Sequence, residues 1–228
     1  MDDGRVGSSE LSDPWKNDRS LSEEIVSSVI QGSAAAGGVA ALILLVTRAW
    51  PQANVMPLIG ALVYGATLII AFTASALYHG IPEPRLKRVF RTVDHCTIFL
   101  LIAGTYTPIT LVTLWHRSGW LLLLCVWSMA ITGIVLRLVR GARFHRIAIP
   151  LYLAMGWISV AWAKALYDAT GLGAVLLILA GGIAYTGGLI FYRWNGLPFN
   201  NAIWHLCVVA GSTCFFLTIS LYVLPASA

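Results

Sequence analysis

The sequence predicts an all-α protein, a seven-transmembrane helix bundle, and three observations carry the prediction. Of its 228 residues 58% are hydrophobic and only 11% charged, at a mean hydropathy of +0.78. A soluble globule of that composition could not keep its apolar surface out of water. Apolar stretches recur over roughly 25–47, 56–79, 94–114, 119–137, 147–166, 171–192 and 201–224, and most come near the about 20 residues a helix needs to cross a hydrocarbon core. Each is continuously apolar, whereas a barrel strand alternates polar and apolar residues over about ten, so helices are selected.

Residues 1–24 read as a flexible cytoplasmic tail and residues 25–226 as the membrane domain. Met1-Asp2-Asp3-Gly4 leads into an acidic, Ser-rich stretch without the short apolar region of a cleavable signal peptide. Ser20 followed by Glu23 predicts a capping box at the entrance to the first helix. The first span carries Gly32, Gly37 and Gly38, a thin hydrophobic signal that suits close helix packing. In the third, Pro108 removes an N–H and clashes with the preceding turn, which predicts a kink that widens a cavity. In the sixth, Gly181, Gly182, Gly187 and Gly188 predict tight helix contact rather than phosphate binding, because no strand precedes them. Trp115, Trp120, Trp194 and Trp204 stand near span ends, as aromatic belts do. Cys96, Cys125, Cys207 and Cys214 fall inside spans and read as packing residues rather than disulfide or redox partners.

Charge sets the orientation. Arg5, Lys16 and Arg19 precede the first span, Arg85, Lys87, Arg88 and Arg91 fill the second loop, Arg137, Arg140, Arg143 and Arg146 the fourth, and Arg193 the sixth. The other side has only Arg48, Arg117 and Lys164. That bias predicts a cytoplasmic amino terminus and an outer carboxyl terminus. The basic loops read as topology signals and anionic-lipid contacts, not as a nucleic-acid site.

With that orientation Ser75 and His79, Asp94, and Asn201 and His205 all converge on the cytoplasmic face. Ser75 and His79 are four residues apart and share a helix face, as do Asn201 and His205. Imidazoles there can offer lone pairs to a metal, and Asp94 can bind the metal, hold its water or orient a histidine. Ionisable groups in a membrane span are functional candidates by default. The blander reading is a set of hydrogen-bonded interfacial histidines, with Asp94 favouring the positive end of its helix dipole. His95 points about 100° away from Asp94 and is expected to face a neighbour or the headgroups. His116 and His145 are assigned to the surface, and Lys164 and Asp168 to a mutual pair or to snorkelling.

These same stretches resemble the haemolysin III proteins, the bacterial branch of the progestin and adipoQ receptor family. The resemblance rests on Ser75 to His79, on Asp94-His95-Cys96-Thr97 through Gly104-Thr105-Tyr106-Thr107-Pro108, on Gly181 to Gly188 and on Ala202-Ile203-Trp204-His205. It implies a seven-helix bundle and a zinc ion held near the cytoplasmic face by histidines matching His79 and His205, with a further histidine four residues before the latter. It also implies that an aspartate matching Asp94 holds a zinc-bound water and that a serine matching Ser75 lies close by. This chain departs from the pattern at Asn201 and at Phe215, where the family usually has histidine. An amide carbonyl is a weaker zinc ligand than imidazole, so the expected metal set is His79, His205 and Asp94 with Asn201 a poor substitute.

Three functions follow from this reading. The first is a zinc-dependent hydrolase of a lipid amide or ester, similar to the related ceramidases, in which Asp94 and Ser75 serve the reaction. The second is a sensor or regulator of membrane lipid state whose metal only holds helices together. The third is a cytolytic pore-former, against which the continuously apolar helices of a resident membrane protein count.

Overall fold

The computed structural model describes residues 20–194 and 196–224, and the expected tail over residues 1–19 lies outside them. Seven α-helices follow in order: α1 Leu21–Ala49, α2 Val55–Gly80, α3 Pro84–Pro108, α4 Gly119–Arg140, α5 His145–Trp157, α6 Ala163–Arg193 and α7 Asn200–Thr218. Short 3-10 turns join α4 to α5 and α5 to α6, and π-turns over Ile109–Thr113 and Ile219–Val223 extend α3 and α7. Six helical stretches among the described residues are long and apolar enough to cross a membrane, so this is a multi-pass membrane protein.

Local chemistry sets the helix starts. The capping box is formed: the Ser20 hydroxyl accepts from Glu23 N and the Glu23 carboxylate from Ser20 N. Helix α1 thus begins at Leu21, ahead of the expected residue 25, and Glu24 belongs to the helix rather than to the tail. Asn54 accepts from Met56 N at 2.9 Å to start α2. Glu83 accepts from Arg85 N and Leu86 N ahead of Pro84, which suits a first helical position. Those two donors hold its exposed carboxyl below the usual carboxylate range. Helix α3 therefore starts ten residues before the expected span, and Arg85, Lys87, Arg88 and Arg91 are helical rather than part of a loop.

Pro108 and the glycines of α6 take more specific places than the sequence suggests. Pro108 lies inside the span Pro84–Thr113 as the last residue of α3, where the α-helix passes into the π-turn closed by Leu114 N donating to Ile109 O at 3.1 Å. A side chain at Gly60 would meet Pro108 Cα at 2.8 Å, so α2 and α3 approach closely there. In α6, Gly181 and Gly188 abut α7, whereas Gly187 has nothing within 4 Å and Gly182 only ordinary contact with Trp157.

The stretch Ile147–Arg193 runs 47 residues where two spans were expected. Unbroken, it would be about 70 Å long, more than twice a hydrocarbon core of about 30 Å. It is broken at Gly171, with φ 77° and ψ 179°, in a region that costs glycine little and other residues much. The expected boundary over 167–170 is helical, and the break falls on the glycine.

The most extensive packing is α1 on α2, α2 on α3 and α6 on α7, with α1 also against α7 and α3 against α4. Polar side chains inside the bundle find partners across helices, as the absence of water in lipid demands. Tyr64 donates to Ser212 O at 3.0 Å, Tyr106 to Gly156 O at 2.8 Å and Tyr152 to His95 O at 2.8 Å. Large apolar residues such as Val29, Leu124 and Ile183 face outward, as lipid contact requires. The described cysteines are all free thiols, Cys96 buried and the others partly so.

Candidate functional site

Helix α2 ends at Gly80, which puts His79 in its last turn, and α7 begins at Asn200, which puts Asn201 and His205 one turn apart on its first two turns. All three side chains are buried, at 4%, 3% and 4% exposure. His79 Nε2 and His205 Nε2 lie 3.0 Å apart, with the rings edge to face at 75°. The Asn201 amide sits between them, its Nδ2 2.7 Å from His205 Nε2 and 3.2 Å from His79 Nε2.

These residues line a polar cavity of about 50 Å³ whose wall also includes Asp94, Arg91 and Arg137. That volume accommodates water, which needs about 10–15 Å³ by the same measure, and not a lipid. The structure thus brings His79, Asp94, Asn201 and His205 together. Ser75 is not in the cavity wall; its Oγ is buried one turn from His79 with no hydrogen-bond partner. His95, expected to face away, lines the same cavity. His116 is exposed as expected, the side chain of His145 lies outside the described residues, and Lys164 pairs with Asp168 at 2.8 Å.

Helix α1 adds three groups that sequence reasoning missed. Glu24, 6% exposed, accepts from His79 Nδ1 at 3.1 Å and from Lys87 Nζ at 2.6 Å. Ser27 Oγ accepts from Asn201 Nδ2 at 3.3 Å, and Gln31 Nε2 lies 2.5 Å from His205 Nδ1. Their spacing of three and four residues makes one polar stripe on an otherwise apolar helix, which was the available signal. Lys87 is therefore an ion-pair partner at the site as well as a topology signal. Arg137, read from sequence as a loop charge, is helical, 2% exposed, donates to Gly141 O at 3.0 Å and leaves its Nε buried without a partner. Trp204, expected in an aromatic belt, instead forms part of the cavity wall and contacts the Tyr192 ring.

A second, apolar chamber of about 240 Å³ lies between α3, α5, α6 and α7. Ile98, Tyr152, Leu189 and Trp204 line both spaces, so the polar cavity and the apolar chamber are neighbours across one wall.

The spacing of the two imidazole nitrogens suits an ion between them as it suits a hydrogen bond. Two nitrogens bound at about 2.0–2.1 Å in a tetrahedral site stand roughly 3.3 Å apart, close to the 3.0 Å between the imidazoles. The donor set is thin: among the described residues no group of three or more His, Cys, Asp and Glu side chains is placed to hold one ion. As placed, Asn201 turns its Nδ2 to the imidazoles, and its carbonyl would join them as a third donor only with the amide turned over.

Comparison with known proteins is consistent along the whole membrane region. The chain is 40% identical over 208 residues to Hemolysin-3 of Bacillus cereus, covering 91% of this chain and 94% of that protein. It is 34% identical over 202 residues to the Hemolysin-3 homolog of Bacillus subtilis (strain 168), covering 89% and 95%. It is 27% identical over 176 residues to the human Monocyte to macrophage differentiation factor, covering 72% and 70%. A family model described as haemolysin-III related matches residues 19–216, which takes in α1 with its polar stripe as well as both histidine-bearing helices. The chain belongs to the haemolysin-III related family.

Proposed function

We propose that the chain is a zinc-dependent hydrolase of lipid amides or esters, acting where His79, Asp94, Asn201 and His205 meet. The observation that carries this reading is the shared wall of Ile98, Tyr152, Leu189 and Trp204 between the polar cavity and the apolar chamber. An acyl chain lying in the chamber would be removed from water while its carbonyl reached the polar end. His79 and His205 would hold the zinc with the Asn201 carbonyl as a weaker donor. When bound, zinc supplies a more acidic water and a polarised carbonyl. Asp94, in the wall of the same cavity, would orient an attacking water and accept its proton. Arg137, with an unsatisfied buried Nε, offers a charge-assisted hydrogen bond to the carboxylate that hydrolysis releases.

Seven crossings accompany this reading. Ala148, Ile149 and Tyr152 near the start of the 47-residue stretch, and Leu189 and Tyr192 near its end, line the same cavity. The stretch therefore begins and ends at one end of the bundle, with Gly171 as its turning point. The Lys and Arg bias then favours a cytoplasmic amino terminus and site, and an outer carboxyl terminus.

Zinc analysis of purified protein and fatty-acid release from a panel of N-acyl and ester lipids test the proposal. The expected result is about one zinc per chain and acid release that D94N abolishes. Correctly folded, zinc-loaded protein inert toward the whole panel would overturn it.

The two-histidine donor set favours one second reading, a lipid-state sensor in which a weakly held metal ties α2 to α7. Loss of zinc and of stability in H79A and H205A, with no chemical product from wild type, would support it. The name Hemolysin-3 attaches cytolysis to the Bacillus cereus relative. In this chain the walls of the larger interior chamber are apolar, which suits an acyl chain better than a conducting path.

A further inference from the structure

We propose that α1 sets the proton positions on the two imidazoles: Glu24 keeps the Nε2 lone pair of His79 aimed at the cavity, and Gln31 is a reversible partner that sets His205 for or against a metal. The metal half rests on the zinc reading above; the tautomers themselves do not.

The polar stripe of α1 meets the site residue by residue, Glu24 on His79, Ser27 on Asn201 and Gln31 on His205. A carboxylate only accepts, so the His79 nitrogen facing Glu24 carries the proton, and in the neutral ring the opposite nitrogen, Nε2, carries the lone pair that the Asn201 nitrogen faces at 3.2 Å. Lys87 holds that carboxylate from its other side at 2.6 Å and lies 5.3 Å from the centre of the Tyr78 ring. A buried charge with two donors has one stable arrangement, so His79 has one tautomer.

His205 differs, because an amide can face it either way. As placed, the Gln31 nitrogen faces His205 Nδ1 at 2.5 Å and the Asn201 nitrogen faces His205 Nε2 at 2.7 Å, and a neutral imidazole cannot accept from both, so one of the two amides is turned over. With Gln31 donating, Asn201 turns its oxygen to the ring and His205 Nε2–H is shared with His79 Nε2 at 3.0 Å. Donors then run in one direction, from Gln31 through both imidazoles to Glu24, and Gln31 Oε1 is left buried without a partner. Turning the Gln31 amide over puts Oε1 against Nδ1. One proton then leaves Nε2 for water and another returns to Nδ1, with no change in charge. Both Nε2 lone pairs now converge, and the Asn201 amide or a cation can meet them. The first arrangement closes the site with an internal hydrogen bond, and the second opens it to a metal.

Full-length protein with 15N-labelled histidine tests this by NMR, which separates Nδ1–H from Nε2–H imidazoles, with zinc alone as the probe. His79 is expected as Nδ1–H with and without zinc, and His205 as Nε2–H without zinc and Nδ1–H with it. E24L should release His79 from its tautomer and weaken zinc about 10–100-fold, while E24D keeps both close to wild type. Q31E, which can only accept, should hold His205 as Nδ1–H without zinc and tighten zinc about tenfold. Unchanged His79 signals in E24L would overturn the role of Glu24. A His205 tautomer that neither zinc nor Q31E moves would overturn that of Gln31. If the wild type takes up no zinc, the hydrolase reading fails by itself, and the metal-free tautomers of wild type, E24L and Q31E still decide what α1 does.

Discussion

His79 Nε2 and His205 Nε2, on residues 126 apart in sequence, face each other at 3.0 Å from α2 and α7. Two imidazole nitrogens buried that close need a shared proton, a cation or the Asn201 N–H groups between them, because paired lone pairs repel in a site of low dielectric. Every group around them follows from that requirement: Glu24 and Gln31 behind the rings, the Asn201 amide between them and Asp94 across the cavity.

Supplying the missing imidazole should strengthen the site. N201H places a nitrogen donor where the amide now stands, one turn before His205, and is expected to tighten zinc at least about tenfold, since imidazole is the better zinc ligand. Competition with a chromophoric chelator measures it, and an affinity equal to wild type would remove Asn201 from the metal set.

Removing either imidazole should destabilise the bundle even without metal. H205A leaves the buried Gln31 amide unpaired, at a cost of about 1–3 kcal/mol. Thermal unfolding of metal-free protein in detergent is the readout, and it should fall for H79A and H205A alike.

Two glycines of α6 should respond oppositely. A methyl at Gly188 would meet Cys207 Cβ at 2.7 Å and the Trp204 ring at 2.8 Å, whereas one at Gly187 meets nothing within 4 Å. G188A is expected to cost about 1–3 kcal/mol by overpacking, and to disturb the wall shared by the two cavities. G187A should be neutral or gain up to about 1 kcal/mol from helix propensity. Equal melting shifts in the two variants would contradict the packing of α6 on α7.

Arg137 should distinguish anionic from neutral lipids. R137M removes a charge-assisted partner worth about 1.5–3 kcal/mol, so binding of a free fatty acid is expected to weaken roughly tenfold or more, with an uncharged acyl amide much less affected. Displacement of a fluorescent fatty acid measures both.

The proposed reversal at Gly171 can be read directly. In protein stripped of its native cysteines, G171C should react with an impermeant thiol reagent from the outer face and L197C from the cytoplasmic face. Labelling of both from one side would remove the seventh crossing.

The helical, membrane-spanning character of the chain was legible from composition, because the hydrophobic length of a segment is a sum over its own residues. The same holds for the capping box at Ser20 and for the convergence of His79, Asp94, Asn201 and His205, which needs only span order and the side on which each helix begins. The ends of α3 were less legible: Arg85 to Arg91 look like a loop by charge, yet Glu83 and Pro84 start a helix there. The boundary before α6's second half was displaced for a similar reason, since a single left-handed glycine can break a helix without a polar loop.

What sequence by itself determined here is the set of apolar segments, their order and the histidine and aspartate residues at their ends. It took the packed bundle to show that Glu24, Ser27 and Gln31 stand behind those residues, that Arg137 and Trp204 line the cavity, and that an apolar chamber shares a wall with it. Burial length is a local property of a segment, but which face of a helix meets which neighbour depends on its rotation about its own axis, and that is set by packing against all the others.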